Sequence, residues 1–274
     1  LDENPTEKSA RFAVHHRPGK TVDRQAIEKA RRSTKESTQG PRKGRELTPL
    51  IRGSEVRRIR TRSHPGYTGD VPMTRIGYKV ISGESLLELD FLVLIDDVMS
   101  DLVGIFAQPM KLPIVVAGRS TTWNPDFLLS RTDLHHELVE VKTEEALHPE
   151  DPDERRLVTL RIEAMRKAAA AAGFGFRLAT EREIRVQPRL DNARLVHRSM
   201  SPFFTKADIL TVIAALGRLP ERSDVPTLAT TLPCRLAIYA LPLALCLERL
   251  GHLFFDRSLL IRGASSFTKP SVDA

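Results

Sequence analysis

Hydrophobic and polar positions divide this chain into three regimes. Over residues 1–50, Lys, Arg, Ser, Thr, Glu and Pro dominate and large apolar residues are sparse. Such a segment cannot bury enough apolar surface to offset its ordering entropy, so a flexible arm with at most a short helix over 24–32 is expected. A folded body is expected from about Ile76. Leu86, Leu87, Leu89, Phe91, Leu92 and Leu94 recur at helical spacing, with Ser82 or Ser85 as the cap. Phe106, Met110, Leu112 and Ile114 predict a first strand, extended by Val115 and Val116 and turned at Gly118 and Arg119. Residues 123–129, broken near their start by Pro125, predict a second strand, and 137–142 a third. The strongest helical signal covers 153–172, with Leu157, Leu160, Ile162, Met165, Ala168, Ala169 and Ala172 on its apolar side. Asp153 is its expected cap and Gly173 its stop. A short strand over 175–178 and a turn or helix over 179–184 follow. Helix, three strands, helix and strand make an α/β body, a mixed sheet flanked by helices.

The third regime begins at Pro202 and Phe203 and is mainly helical. A helix over 206–216 is followed by a helical region around Leu228, Leu232, Leu236, Ile238 and Tyr239, which Pro233 must bend or divide. Another helix over 243–250 ends at Gly251. Phe254-Phe255 and Leu259-Leu260-Ile261 predict a small β-wing. Short helices followed by a hairpin predict a winged-helix-like section. The expected organisation is a basic arm over 1–69, an α/β domain over 70–195 that would carry any active site, and a helical winged domain over 196–274 that meets a partner or DNA.

Charge sharpens this division. The chain carries a formal +7. Residues 1–66 hold 17 Lys and Arg against 8 Asp and Glu, a net of +9, which leaves −2 on the remainder. A basic arm ahead of a nearly neutral body suits a phosphate backbone or an acidic protein. Arg52, Arg57, Arg58, Arg60 and Arg62 concentrate that charge; a solvated linker explains them equally well. The two cysteines, Cys234 and Cys246, lie in apolar sequence and define neither a disulfide scaffold nor a zinc site. No apolar run reaches the roughly 20 residues of a membrane span. The polar start does not read as a secretory signal, so a cytoplasmic location is expected.

The candidate chemistry lies in Asn124-Pro125-Asp126 and Glu140-Val141-Lys142. Alternate residues of a strand share a face, so Glu140 and Lys142 should project together while Val139 and Val141 face the opposite layer. The 14-residue interval from Asp126 to Glu140 allows a strand, a polar turn at Thr132, Asp133, His135 and His136, and an adjacent strand. If the two strands pair, Asp126 joins the cluster. Two carboxylates and an ammonium suit metal-assisted phosphodiester hydrolysis, with Mg2+ held by Asp126 and Glu140 and Mn2+ as its substitute. Lys142 would orient or help deprotonate water and offset phosphate charge. Glu88 is the fourth candidate and third metal ligand; an ordinary solvated helix face with Glu84 and Asp90 is its alternative reading. Trp123 is expected to pack rather than stack on a base.

These motifs carry a family resemblance. Glu84-Ser85-Leu86-Leu87-Glu88-Leu89-Asp90-Phe91, Gln108-Pro109, Asn124-Pro125-Asp126-Phe127 and Val139-Glu140-Val141-Lys142 resemble, in order and interval, the nuclease domain of TnsA-type heteromeric transposase endonucleases. The resemblance covers roughly residues 70–190. It implies a restriction-endonuclease-like fold with Glu88, Asp126, Glu140 and Lys142 at the active site. It further implies cleavage of the 5′ strands at double-stranded transposon ends, beside an integrase-like transposase that handles the 3′ strands and an AAA+ regulator. Leu89 stands where the family often has Arg, and Asn124 where it often has Thr; neither change removes a proposed ligand. An independent restriction or repair nuclease, and an inactive DNA-binding adaptor, are the competing expectations.

Overall fold

The computed structural model describes residues 67–133, 135–200 and 204–270. The basic arm up to residue 66, the 24–32 helix, the Arg52–Arg62 cluster and Phe203 lie outside those residues, and Gly69, expected to close the arm, already belongs to the first strand. The described chain opens with a hairpin of β1 (Gly69–Met73) and β2 (Lys79–Gly83), so folded structure begins before Ile76. Helix α1 (Leu86–Val98) follows. Ser85 starts it: its extended backbone and its hydroxyl, which accepts from the Glu88 N–H at 3.1 Å, satisfy a donor that the helix cannot. The hairpin lies close against this first turn. A Cβ at Gly83 would meet Leu89 Cδ2 at 3.0 Å and Glu88 Cβ at 3.2 Å, so glycine there permits the contact.

Four strands form the central sheet: β3 (Leu102–Ala107), β6 (Phe127–Arg131), β7 (His136–Val141) and β8 (Gly175–Ala179), in the order β3-β6-β7-β8. The first three run antiparallel, and β8 lies parallel to β7. The parallel step requires a long crossover. Helix α3 (Pro152–Ala171), preceded by the short α2 (Glu144–Leu147), supplies it. The N-cap of α3 is Asp151, which accepts from the Asp153 N–H at 2.8 Å, rather than Asp153. Pro152, at the first helical position, moves the start upstream because it lacks the N–H that would be unsatisfied there.

The segment expected to form one strand from Phe106 to Val116 is two. Gln108-Pro109 breaks it, and β4 (Leu112–Val116) instead pairs with β5 (Arg119–Trp123) in a separate hairpin. The turn is Ala117-Gly118, both at positive φ. Likewise, Asn124-Pro125-Asp126 separates β5 from β6. His136 belongs to β7, half-buried, where its Nδ1 lies 3.1 Å from Ser130 Oγ, and is not part of the turn.

The two sheet faces carry different cores. Val139 and Val141 join Phe127, Leu129, Phe91 and Leu92 on the α1 side. Leu138 and Leu128 pack with Trp123, Ile114, Met165 and Ala169 on the α3 side. The period of two thereby sets the side on which Glu140 sits, in register with Leu138.

Short α4 (Glu181–Ile184) leads to α5 (Arg189–Ser199), which crosses position 195 without a break and packs on α1 through Leu94, Leu190 and Ala193. The C-terminal section contains α6 (Lys206–Gly217), β9 (Arg222–Asp224), α7 (Val225–Thr231), α8 (Cys234–Ala237), α9 (Ala240–Arg249), β10 (Phe254–Phe255) and β11 (Ser266–Thr268). Its sheet has the order β10-β11-β9. Leu259-Leu260-Ile261 is not the second wing strand: the Ile261 N–H donates to Asn192 Oδ1 at 2.8 Å, which ties that segment to α5. Arg249 lies 3.6 Å from buried Asp96 of α1, and Arg257 links Asp97 to Glu248. The observed class is a mixed α/β fold with a central mixed sheet flanked by helices, followed by C-terminal helices. Among the described residues no helix is long and apolar enough to cross a membrane.

Candidate metal and catalytic centre

Three of the four predicted residues meet where β6 and β7 pair. Phe127 lies opposite Val139, which brings Asp126, just before β6, beside the end of β7. Asp126 Oδ2 accepts the Val141 N–H at 2.7 Å. Lys142, one residue past the strand, places Nζ 2.9 Å from Glu140 Oε1. The other oxygen of Glu140 accepts the indole N–H of Trp123 at 2.7 Å. Glu140 is almost fully buried, whereas the Lys142 side chain keeps 39% of its exposure.

Glu88 reaches the group by charge rather than by a direct bond. Its Oε1 accepts the Ser85 hydroxyl at 2.9 Å and its Oε2 the Glu84 N–H at 2.8 Å. Ser85-Leu86-Leu87-Glu88 is thus a working helix-start signature of the S-x-x-E type. Glu84 precedes the helix, so it does not share a helical face with Glu88. Asp90 points away and binds Arg185 and Arg194.

The electrostatics of these groups are interdependent. Burial pushes the Asp126 carboxyl well above the ordinary carboxylate range. Glu140 pushes it further, Lys142 opposes, and Glu88 adds to the rise. Burial also raises Glu88, against its hydrogen bonds to Glu84 and Ser85. For Lys142 burial works downward, but Asp126, Glu140 and Glu88 outweigh it and the net direction is upward. Lys142 is therefore held as an ammonium. An ammonium is suited to pairing with an anion or orienting water rather than to removing a proton.

Desolvated carboxylates crowded together favour a neighbouring cation. Their hard oxygens match Mg2+, which takes one or two carboxylates and keeps several waters. Two buried acceptors close by strengthen the fit. Gln108 Oε1 and Asn124 Oδ1 have no hydrogen-bond partner. Both flank the Asp126 segment: Asn124 lies two residues before it, and the Gln108 N–H donates to Asp126 O at 2.8 Å. Buried acceptors of this kind call for donors such as ordered water. Among the described residues no three His, Cys, Asp or Glu side chains are grouped to hold one ion together. Asp126 and Glu140 are accordingly the pair that fits, with Glu88 as a nearby charge held in its helix cap.

The spacing of Gln108 and Asn124 gives no sign of their burial, and no linear motif announces the Trp123–Glu140 bond. The only cue for Trp123 is its place directly before Asn124-Pro125-Asp126. No protein-family model matches this chain, and neither does any curated protein.

Proposed function

We propose that this chain is a Mg2+-dependent DNA endonuclease that cuts the 5′ strands at transposon ends within a heteromeric transposase. In this reading the central sheet is restriction-endonuclease-like and the C-terminal section, with its three-stranded sheet, is winged-helix-like. One observation carries the reading: buried Glu140 and half-buried Asp126 share the end of a strand pair with the Lys142 ammonium. Asp126 and Glu140 would hold the ion. When bound, Mg2+ supplies Lewis-acid stabilisation of charge developing on the phosphate. Lys142 adds a positive charge beside the same phosphate and orients the attacking water. Glu88 sets the charge of the pocket from the first turn of α1. The expected partners are double-stranded transposon-end DNA, an integrase-like transposase and an AAA+ regulator.

A second reading has its own support. Both oxygens of Glu140 already have protein partners, which suits a structural ion pair in an inactive DNA-binding adaptor. The test follows 5′- and 3′-labelled strands of a cognate end with Mg2+, transposase and regulator present. Loss of only the 5′-strand cut in Asp126→Ala supports the transposase nuclease. Unchanged cuts on both strands remove Asp126 from the mechanism and favour the adaptor. Cleavage of unmodified DNA by the isolated chain favours an independent restriction or repair nuclease.

A further inference from the structure

Trp123 is the single tryptophan of the chain. It ends β5, opposite Leu112, and is 1% exposed. Its ring packs edge-on against Phe176 with centroids 5.6 Å apart. Packing explains the ring but not the choice of its hydrogen-bond partner. Indole has one donor, and here it goes to Glu140 Oε2 rather than to a backbone carbonyl. A buried carboxylate beside a second carboxylate is costly unless donors satisfy it. A neutral N–H does so without adding a charge. The two donors on Glu140 differ in freedom: Trp123 is locked in the core under α3, whereas Lys142 is part-exposed. Among the described strands the β4–β5 hairpin pairs only with itself, and its last residue delivers the donor.

We propose that Trp123 is a positioning residue whose indole N–H fixes the Glu140 carboxylate, so that Oε1 is the oxygen turned toward Lys142 and the reacting group. What Glu140 then does rests on the nuclease reading, but the coupling can be measured without turnover.

The first readout is optical and uses the full chain without DNA. Excitation moves indole electron density from the pyrrole toward the benzo ring, so a negative charge at the N–H end stabilises the excited state. Glu140→Gln should therefore move Trp123 emission to the blue; superimposable spectra overturn the proposal. The second readout uses Trp123→Phe, which keeps an aromatic ring and removes the donor. Mn2+ affinity should fall about tenfold, in the range for lost outer-shell partners of a metal ligand. The kcat should fall while KM for DNA stays unchanged. In a Glu140→Gln background the same change should cost no further Mn2+ affinity, whereas an additive loss assigns Trp123 to packing alone and overturns the proposal. The two readings fail separately. A blue shift in a protein that neither binds Mn2+ nor cuts DNA refutes the nuclease and keeps the Trp123–Glu140 coupling. Unchanged emission in a protein that binds Mn2+ and cuts does the reverse.

Discussion

Asp126 and Asp208 are the same residue type in two halves of one chain, and their surroundings drive them in opposite directions. Asp126 sits among Glu140, Glu88 and Lys142, and burial leads the forces that raise its pKa. Asp208 sits at the start of α6 in a capping box with Thr205, at 2.6 Å from Arg235, and its pKa falls to about 2. The Thr205 hydroxyl and N–H are the main causes, with Arg235 adding to them. Local donors and one cation make Asp208 a stabilising group. Burial first, and the neighbouring carboxylates after it, disfavour the charged form of Asp126. In the nuclease reading the cost at Asp126 accompanies a group that holds an ion, whereas the same side chain at Asp208 helps hold a helix start together.

The largest test of this contrast exchanges each acid for its neutral isostere. Asp126→Asn should abolish metal-dependent strand cleavage, a loss above about a thousandfold as expected for removal of a principal metal ligand. Its Tm at neutral pH should nevertheless rise, because the neutral side chain escapes the burial cost of the charge. Asp208→Asn should do the opposite, preserving cleavage and lowering Tm. A cleavage-competent Asp126→Asn protein, or one with a lowered Tm, would break the comparison.

The pH dependence follows with its sign fixed. Asp126 binds its proton more tightly in the folded chain, so its cost to stability is absent below the unfolded carboxylate range and grows as pH rises toward the raised folded value. Asp208 contributes stability that is complete above its unfolded value and is lost as pH falls through about 2. Urea midpoints across acid pH should thus show the Asp126→Asn advantage fading on acidification. The Asp208→Asn deficit should persist to much lower pH. Parallel curves for the two variants would refute the assignment.

Helix caps give a smaller effect. Thr205→Ala and Ser85→Ala each remove an N-cap acceptor and should cost about 1 kcal/mol by chemical denaturation. Only Ser85→Ala should also lower cleavage, because Ser85 holds Glu88 in place. The mildest difference is between the cysteines. Cys234 is exposed, whereas burial pushes the Cys246 thiol up to about 11 against the pull of Arg249. Mass-resolved alkylation at pH 8 should label Cys234 first, since the thiolate is the reacting form. Faster labelling of Cys246 would show that the C-terminal core opens readily.

Much of the frame is legible in local pattern. The α1 spacing with Ser85 before it, the long amphipathic run of α3, and the alternation of Val139 and Val141 with Leu138 and Glu140 each report one period and one face. The adjacency of Asp126 to Glu140 follows from strand length once β6 and β7 pair. Other features have no linear signal. Ser266-Phe267-Thr268 holds a single large apolar residue, too little to mark a strand, yet it is the middle strand of the C-terminal sheet. Asn192 gives no hint that it anchors Ile261.

The sequence by itself determined which residues bear charge, which faces are apolar, and that two carboxylates and a lysine lie in or beside two segments with strand character. Those properties depend on residue type and a period of two or 3.6. Only the tertiary structure decided the electrical state of that cluster and its supports. Burial of Asp126, the bond from Trp123 to Glu140 and the orphaned oxygens of Gln108 and Asn124 arise from the way separate strands and loops close around one space. Desolvation and donor geometry are properties of an enclosed space, and no local spacing encodes them.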